Sequence, residues 1–95
     1  MTSVSEARAF ITNLRNHLSQ DINSHNWAEA SYDMGAIEGY LSALDVDRKE
    51  TAKVGKILAE MKEAMKDRNA KLCNGLFHAL NERLIRDLNI PPLID

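Results

Sequence analysis

Apolar residues recur every three or four positions along most of the chain, and this spacing is typical of amphipathic helices. In the first such stretch they form one narrow stripe, which comprises Val4, Ala7, Phe10, Ile11, Leu14, Leu18 and Ile22. Strict alternation of apolar and polar residues, which would indicate strands, never lasts more than a few positions. No proline precedes Pro91, so nothing forbids helix before it. The pattern therefore predicts an all-α protein.

Turn-forming residues divide this pattern into four predicted helices. The predicted ranges are about 5–23, 26–44, 48–66 and 70–88, followed by a short extended C-terminal tail. The expected N-caps are Ser3 or Ser5, Asn26, Asp45 or Asp47, and Asp67 or Asn69. Helices of similar length with short connections predict an antiparallel four-helix bundle that forms a single domain, residues 1–95.

The boundary between the third and fourth helices is the least marked, because neither glycine nor proline separates them. One continuous helix is the alternative. At about 100° per residue, the large apolar residues of the two segments centre roughly 130° apart. A straight helix would therefore carry one of the two sets away from the core. We predict a turn at residues 66–69.

The predicted second helix contains Gly35 and Gly39 one turn apart, although an interior glycine costs about 1 kcal/mol relative to alanine. Opposite the large apolar residues of this helix, a helical wheel places Tyr32, Gly35, Ala36, Gly39 and Ala43, here named the small-residue face. Small residues at this spacing let another backbone approach closely. We expect another helix of the bundle to pack there; the alternative is a second copy of the chain or a partner protein.

The C-terminal tail contains two adjacent prolines, Pro91 and Pro92, which end the fourth helix and favour an extended backbone. Two apolar residues follow them, Leu93 and Ile94. One interpretation is that the tail folds back over the open end of the bundle. The other is that Pro91, Pro92, Leu93 and Ile94 dock on a partner, since a pre-extended segment loses little entropy on binding.

Composition narrows the class of protein. The chain has a net charge of −2, with 44% hydrophobic and 27% charged residues, as in ordinary globular domains. This charge gives no electrostatic reason to expect nucleic acid or an anionic membrane as partner. No apolar run has the length of a membrane span, and the N-terminus lacks the features of a signal peptide. We therefore expect a cytoplasmic protein without a membrane partner.

Candidate chemistry is sparse in this sequence. None of His17, His25 and His78 follows a glutamate by three residues, so the inward Glu-x-x-His pairs of di-iron bundles are absent. His17, Asp21 and His25 are spaced four apart, but the helix is expected to end before His25. The single Cys73 falls on the predicted core face, which favours a buried thiol over a nucleophile. The sequence predicts no enzyme activity, metal or cofactor.

Basic residues are most frequent on the predicted third helix. Arg48, Lys49, Lys53 and Lys56 form a stripe there, but glutamates interleave with it, which favours a solvated face. The sequence therefore predicts a non-enzymatic protein-interaction module. We expect an accessory or inhibitor protein, of the kind that phages and plasmids encode, that binds and occludes a larger protein through the small-residue face or the tail. The alternative is a nucleic-acid-binding transcriptional regulator that uses the third helix.

Overall fold

The computed structural model describes residues 2–93, which contain four α-helices and no strand. The helices are α1 (Val4–Asn23), α2 (Trp27–Leu41), α3 (Arg48–Lys66) and α4 (Ala70–Leu88). Helices α1 and α2 pack as one pair and α3 and α4 as another, and the pairs meet through α2 against α3 and α1 against α4. The predicted all-α four-helix bundle is confirmed.

Each helix begins next to a side chain that caps it. Ser3 Oγ accepts the Glu6 N–H at 3.1 Å, and the Glu6 carboxylate accepts the Ser3 N–H in return, which completes a capping box. Asn26, Asp47 and Asn69 cap α2, α3 and α4 in the same way, each through a side-chain oxygen that accepts a backbone N–H. At every helix the cap is one of the residues predicted from the sequence.

Helix α2 ends earlier than predicted, at Leu41 rather than near residue 44. The N–H groups of Ala43 and Leu44 donate to the carbonyls of Tyr40 and Leu41 at 3.1 and 3.2 Å, so the backbone tightens into a turn. This turn directs Leu44 into the core, where it is buried. Ala43 therefore does not continue the helical surface that carries Gly35, contrary to its predicted place on the small-residue face.

Helices α3 and α4 are separate, as predicted from the phase of their apolar residues. Arg68 takes a left-handed conformation with φ of 52°. The Asn69 N–H donates to the Ala64 carbonyl at 2.9 Å, which closes the turn. This reversal lets both helices present their apolar faces to one core.

A single hydrophobic core occupies the space between the four helices. Its fully buried residues include Ile11, Ile37, Leu58 and Leu80, one from each helix. Phe10, predicted to belong to the core stripe of α1, is instead 42% exposed. It lies at the edge of the stripe and stacks on Tyr40 of α2, with the ring centroids 4.9 Å apart.

The tail folds back on the bundle as far as the structure describes it. Asn89 adopts a left-handed conformation, and the N–H groups of Asn89 and Ile90 both donate to the Leu84 carbonyl, that of Ile90 at 2.9 Å. Ile90 is buried, and Leu93 packs partly buried against the core. Ile94 lies outside the described residues. The left-handed Asn89 thus turns the chain out of α4 before the two prolines.

Candidate functional site

The small-residue face of α2 is open to solvent. Gly35 and Gly39 are exposed, and a Cβ atom built on either of them would meet no heavy atom within 4 Å. Tyr32 is 71% exposed. The expectation that another helix of the bundle packs closely against these glycines is therefore wrong. The bundle holds α2 through its large apolar residues, such as the fully buried Ile37.

Aromatic side chains lie along one edge of this open surface. Tyr32, Ala36 and Tyr40 follow each other at intervals of one helical turn on α2. Tyr40 is half-buried, and its ring stacks on that of the exposed Phe10 of α1. The exposed glycines thus lie beside a row of aromatic and small side chains.

The other residues predicted to bind a partner, Ala43 and those of the tail, lie outside helix α2. Ala43 lies in the turn after the helix and is half-buried against the core. In the tail, Pro91 and Pro92 are exposed, whereas Leu93 is half-buried. The structure therefore presents two separate candidate surfaces, one on α2 and one at the two prolines.

The basic residues of α3 are exposed, apart from the half-buried Lys62, and are interleaved with acidic ones, as predicted. Lys53 lies 3.4 Å from Glu50 and Lys66 lies 3.3 Å from Glu63, each pair on α3 itself. A further lysine of this helix, Lys62, reaches a glutamate of α2 at 3.5 Å. These pairs are typical of a solvated helix surface.

An acidic cluster, defined here as Asp21, Glu29 and Asp33, lies where α1 turns into α2. Each residue supplies a carboxylate oxygen, and these oxygens all lie within 4.8 Å of one another. Glu29 and Asp33 are one turn apart on α2, so they share a face. The Asn26 N–H donates to the Asp21 carbonyl at 2.8 Å, which holds the end of α1 against the start of α2. The tight turn therefore brings the three carboxylates together.

The cluster is buried at one end and open at the other. Asp33 is only 4% exposed, whereas Asp21 is half-buried and Glu29 is exposed. Within residues 2–93, Asp33 Oδ2 is buried without a hydrogen-bond partner. Burial has the largest effect on the pKa of Asp33 and raises it to about 7, together with a side-chain hydrogen bond to Asp21 and the negative charges of Asp21 and Glu29. Asp33 therefore exchanges its proton near neutral pH.

Sequence reasoning considered Asp21 only together with His17 and His25, along α1. As expected, α1 ends before His25, which lies exposed in the turn with φ of 58°. The cluster was missed because its members come from two helices. A signal was present, since Asp33 lies in register with the buried Ala30 and Ile37 of α2.

A second charged residue, Arg15, is fully buried in the bundle. Its Nε donates to Asn16 Oδ1 at 2.9 Å, its Nη1 donates to Asn81 Oδ1 at 2.8 Å, and its Nη2 donates to the Pro91 carbonyl. Burial lowers the pKa of this guanidinium. Arg15 thus ties α1 to α4 and to the tail. It was also missed, although it lies one turn after Ile11 on the core stripe.

Cys73 is buried in the core, as predicted. Burial raises the pKa of its thiol, which disfavours the reactive thiolate. None of the helices in residues 2–93 is both long and apolar enough to cross a membrane. Comparison of the chain with protein-family models, with curated proteins and with solved structures found no match. Function is therefore inferred from the geometry of the chain itself.

Proposed function

We propose that the protein is a non-enzymatic interaction module that binds a larger protein and occludes part of its surface. The observation that supports this proposal is the uncovered pair Gly35 and Gly39 on α2. Each interior glycine costs about 1 kcal/mol relative to alanine, and no close contact within the bundle offsets that cost. A docked backbone would gain the dispersion contacts that the bundle does not make.

The side chains around the glycines suit a protein interface. Tyr32 is largely exposed, and Phe10 with Tyr40 forms an aromatic pair at the edge of the same surface. Aromatic residues are enriched at the centres of interfaces, where they contribute most of the binding energy. A partner segment with small or apolar side chains could lie along α2 between these aromatic residues.

Charge favours a different protein over a second copy of the chain. Helix α2 contains three acidic residues, Glu29, Asp33 and Glu38, and no lysine or arginine. Pairing α2 with its own copy would bring like charges together and disfavour association. A partner with basic residues beside an apolar stripe would complement both features of this helix.

The exposed prolines of the tail form the second proposed contact. Pro92 is exposed, and it is neither the acceptor of Arg15 nor a core residue. Pro92→Ala should therefore leave the bundle intact while it loosens the extended backbone that a partner would bind. If the tail contributes, this variant will lose part of the affinity that the complete protein shows.

The experiment is a tagged pull-down from the native cell, followed by mass spectrometry and by binding measurements with the purified partner. Gly39→Leu adds a bulky side chain to the open surface, and Tyr32→Ala removes the exposed ring. Gly75→Leu is the matched control, because Gly75 is an exposed glycine of α4 that also has no neighbour near its Cβ position. Circular dichroism would verify that all three variants keep the helical fold.

The proposal predicts a stoichiometric partner that Gly75→Leu retains and that both α2 variants lose. Equal binding by Gly39→Leu and the unchanged protein would contradict docking at the glycines. A self-associated chain as the only product, dissociated by Gly39→Leu, would contradict the larger partner and favour a homodimer.

A further inference from the structure

The acidic cluster has the spacing and the chemistry of a cation site. Oxygen ligands lie about 2.4 Å from Ca²⁺, so two ligands at right angles are about 3.4 Å apart and two on opposite sides about 4.8 Å apart. The oxygens of Asp21, Glu29 and Asp33 all fall within 4.8 Å of one another. One ion could therefore contact all three carboxylates with small side-chain adjustments.

The buried oxygen of Asp33 is an independent observation that points to a ligand. Buried polar atoms nearly always have a hydrogen-bond partner, and Oδ2 has none among residues 2–93. The neighbouring side chains of the cluster, those of Asp21 and Glu29, are also carboxylates, which offer only acceptor oxygens when ionised. No lysine, arginine or histidine forms an ion pair with any of the three within the described chain. A positive species from solution would complete this site.

We propose that Asp21, Glu29 and Asp33 bind one hard divalent cation, with Asp33 Oδ2 as the innermost ligand. Three carboxylates without a histidine or cysteine select Ca²⁺, Mg²⁺ or Mn²⁺ over zinc. Ca²⁺ fits best, because it accepts irregular arrangements and takes six to eight oxygen ligands. Water would fill the positions on the side of the exposed Glu29.

The site also has a structural consequence for the bundle. Asp21 belongs to α1, whereas Glu29 and Asp33 belong to α2. A bound cation would therefore link the two helices beside their connecting turn and would relieve the repulsion among three carboxylates. Binding should stabilise the folded protein in proportion to the ligand concentration. This inference does not depend on the proposed protein partner.

The test uses the full chain after treatment with a chelator and dialysis, at a fixed pH of about 7.5, above the raised pKa of Asp33 so that its carboxylate is mostly ionised. CaCl₂ and MgCl₂ are titrated separately by isothermal calorimetry and in thermal unfolding, against NaCl at equal ionic strength. We expect one ion per chain, a dissociation constant of about 10⁻⁵ to 10⁻³ M, and a melting temperature that rises with Ca²⁺.

Two variants remove ligands, and one variant controls for charge. Asp33→Asn and Glu29→Gln should each weaken binding at least about tenfold, since each removes a charged ligand and even the loss of a partner that only orients a ligand costs about that much. Glu29 is exposed, so its variant keeps the fold even if Asp33→Asn changes stability. Glu60→Gln, which changes an exposed carboxylate of α3 by the same charge, should bind like the unchanged protein.

A luminescent ion gives a second reading of the same site. Trp27, the single tryptophan, lies two residues before Glu29 and can transfer excitation energy to a nearby Tb³⁺ ion. We expect Trp-sensitised Tb³⁺ emission that Ca²⁺ displaces and that Glu29→Gln weakens. Absence of heat and of any shift in melting temperature up to about 10 mM Ca²⁺ or Mg²⁺ would overturn the proposal. Binding that all three variants share would overturn it as well, since it would show an adventitious ion only.

Discussion

Arg15 and Asp33 are the two charged side chains that are buried among residues 2–93, and they differ in how their polar atoms are satisfied. Each of the three Arg15 nitrogens donates a hydrogen bond, to Asn16, to Asn81 or to the Pro91 carbonyl. Asp33 has a buried oxygen without a partner and faces two other carboxylates.

The difference between Arg15 and Asp33 shows that a buried charged side chain can either stabilise the fold or mark a binding site. Burying a charge is tolerated when hydrogen bonds replace the lost water, as they do around Arg15. That residue connects α1, α4 and the tail, so its role is explained by the fold. No hydrogen bond within the described chain satisfies Asp33 Oδ2, and the cluster around it opens towards solvent at Glu29. Asp33 is therefore the residue of the pair that points to binding.

The largest change in stability is expected when Arg15, whose nitrogens all donate hydrogen bonds, is replaced. Arg15→Ala should lower the free energy of unfolding by about 3 kcal/mol, because it leaves a cavity and deprives Asn81 and Pro91 of their donor. Urea unfolding followed by circular dichroism measures this change. Arg86→Ala, at an exposed position of α4, is the control and should change the midpoint little. An unchanged midpoint for Arg15→Ala would contradict the role of Arg15 as a structural tie.

Removal of the Asp33 charge, which lacks a hydrogen-bond partner at Oδ2 within the described chain, is expected to stabilise the protein. In the presence of a chelator at about pH 8, where most of the Asp33 carboxylate is ionised, Asp33→Asn should raise the free energy of unfolding by about 1 to 2 kcal/mol. The amide is neutral, and its N–H group can donate to Asp21. The same urea experiment measures this gain. A loss of stability instead would mean that the carboxylate already has a partner in the free protein.

The effect of Asp33→Asn should also depend on pH. The pKa of Asp33 is raised to about 7 in the folded state, against an ordinary value of 3.8. Between these values the folded protein holds a proton that the unfolded chain has lost. The contribution of Asp33 to stability is thus fully present below about pH 4 and is lost as pH rises through about 7. The stability gained by Asp33→Asn should therefore increase from pH 5 to pH 8, as thermal unfolding of both proteins would show. A gain that stays constant over this range would contradict the raised pKa.

The smallest change in stability is expected for Asn81, whose side chain accepts a hydrogen bond from Arg15. Asn81→Ala removes one of its three hydrogen bonds and should lower the free energy of unfolding by about 1 kcal/mol. In the Arg15→Ala background the same substitution should cost less, since the shared bond is already lost. A double-mutant cycle measures this coupling, and purely additive effects would indicate that Asn81 does not hold Arg15.

Most of the fold could be predicted from local patterns in the sequence. Apolar spacing, capping residues and the phase difference between α3 and α4 depend on neighbours in the chain, and these predictions were confirmed. The end of α2 was misplaced because Ala43 and Leu44 continue its apolar pattern although the backbone has already turned.

The candidate sites depended on the arrangement of helices, which local patterns do not determine. A helical wheel identified the small residues around Gly35 and Gly39, but it could not show that the other helices leave them open. The register of Asp33 indicated a core position, yet its meaning required Asp21 from the preceding helix. Sites that join two elements become visible only when their packing is known.

A crystal structure of the protein grown with MnCl₂ tests most directly the proposed binding of a cation by Asp33 Oδ2, Asp21 and Glu29. Anomalous scattering locates manganese without reference to the protein atoms. We expect one peak at coordination distance from Asp33 Oδ2 and from oxygens of Asp21 and Glu29. Absence of a peak there would contradict the cation site and would assign the cluster to a proton shared between the Asp33 and Asp21 carboxyl groups.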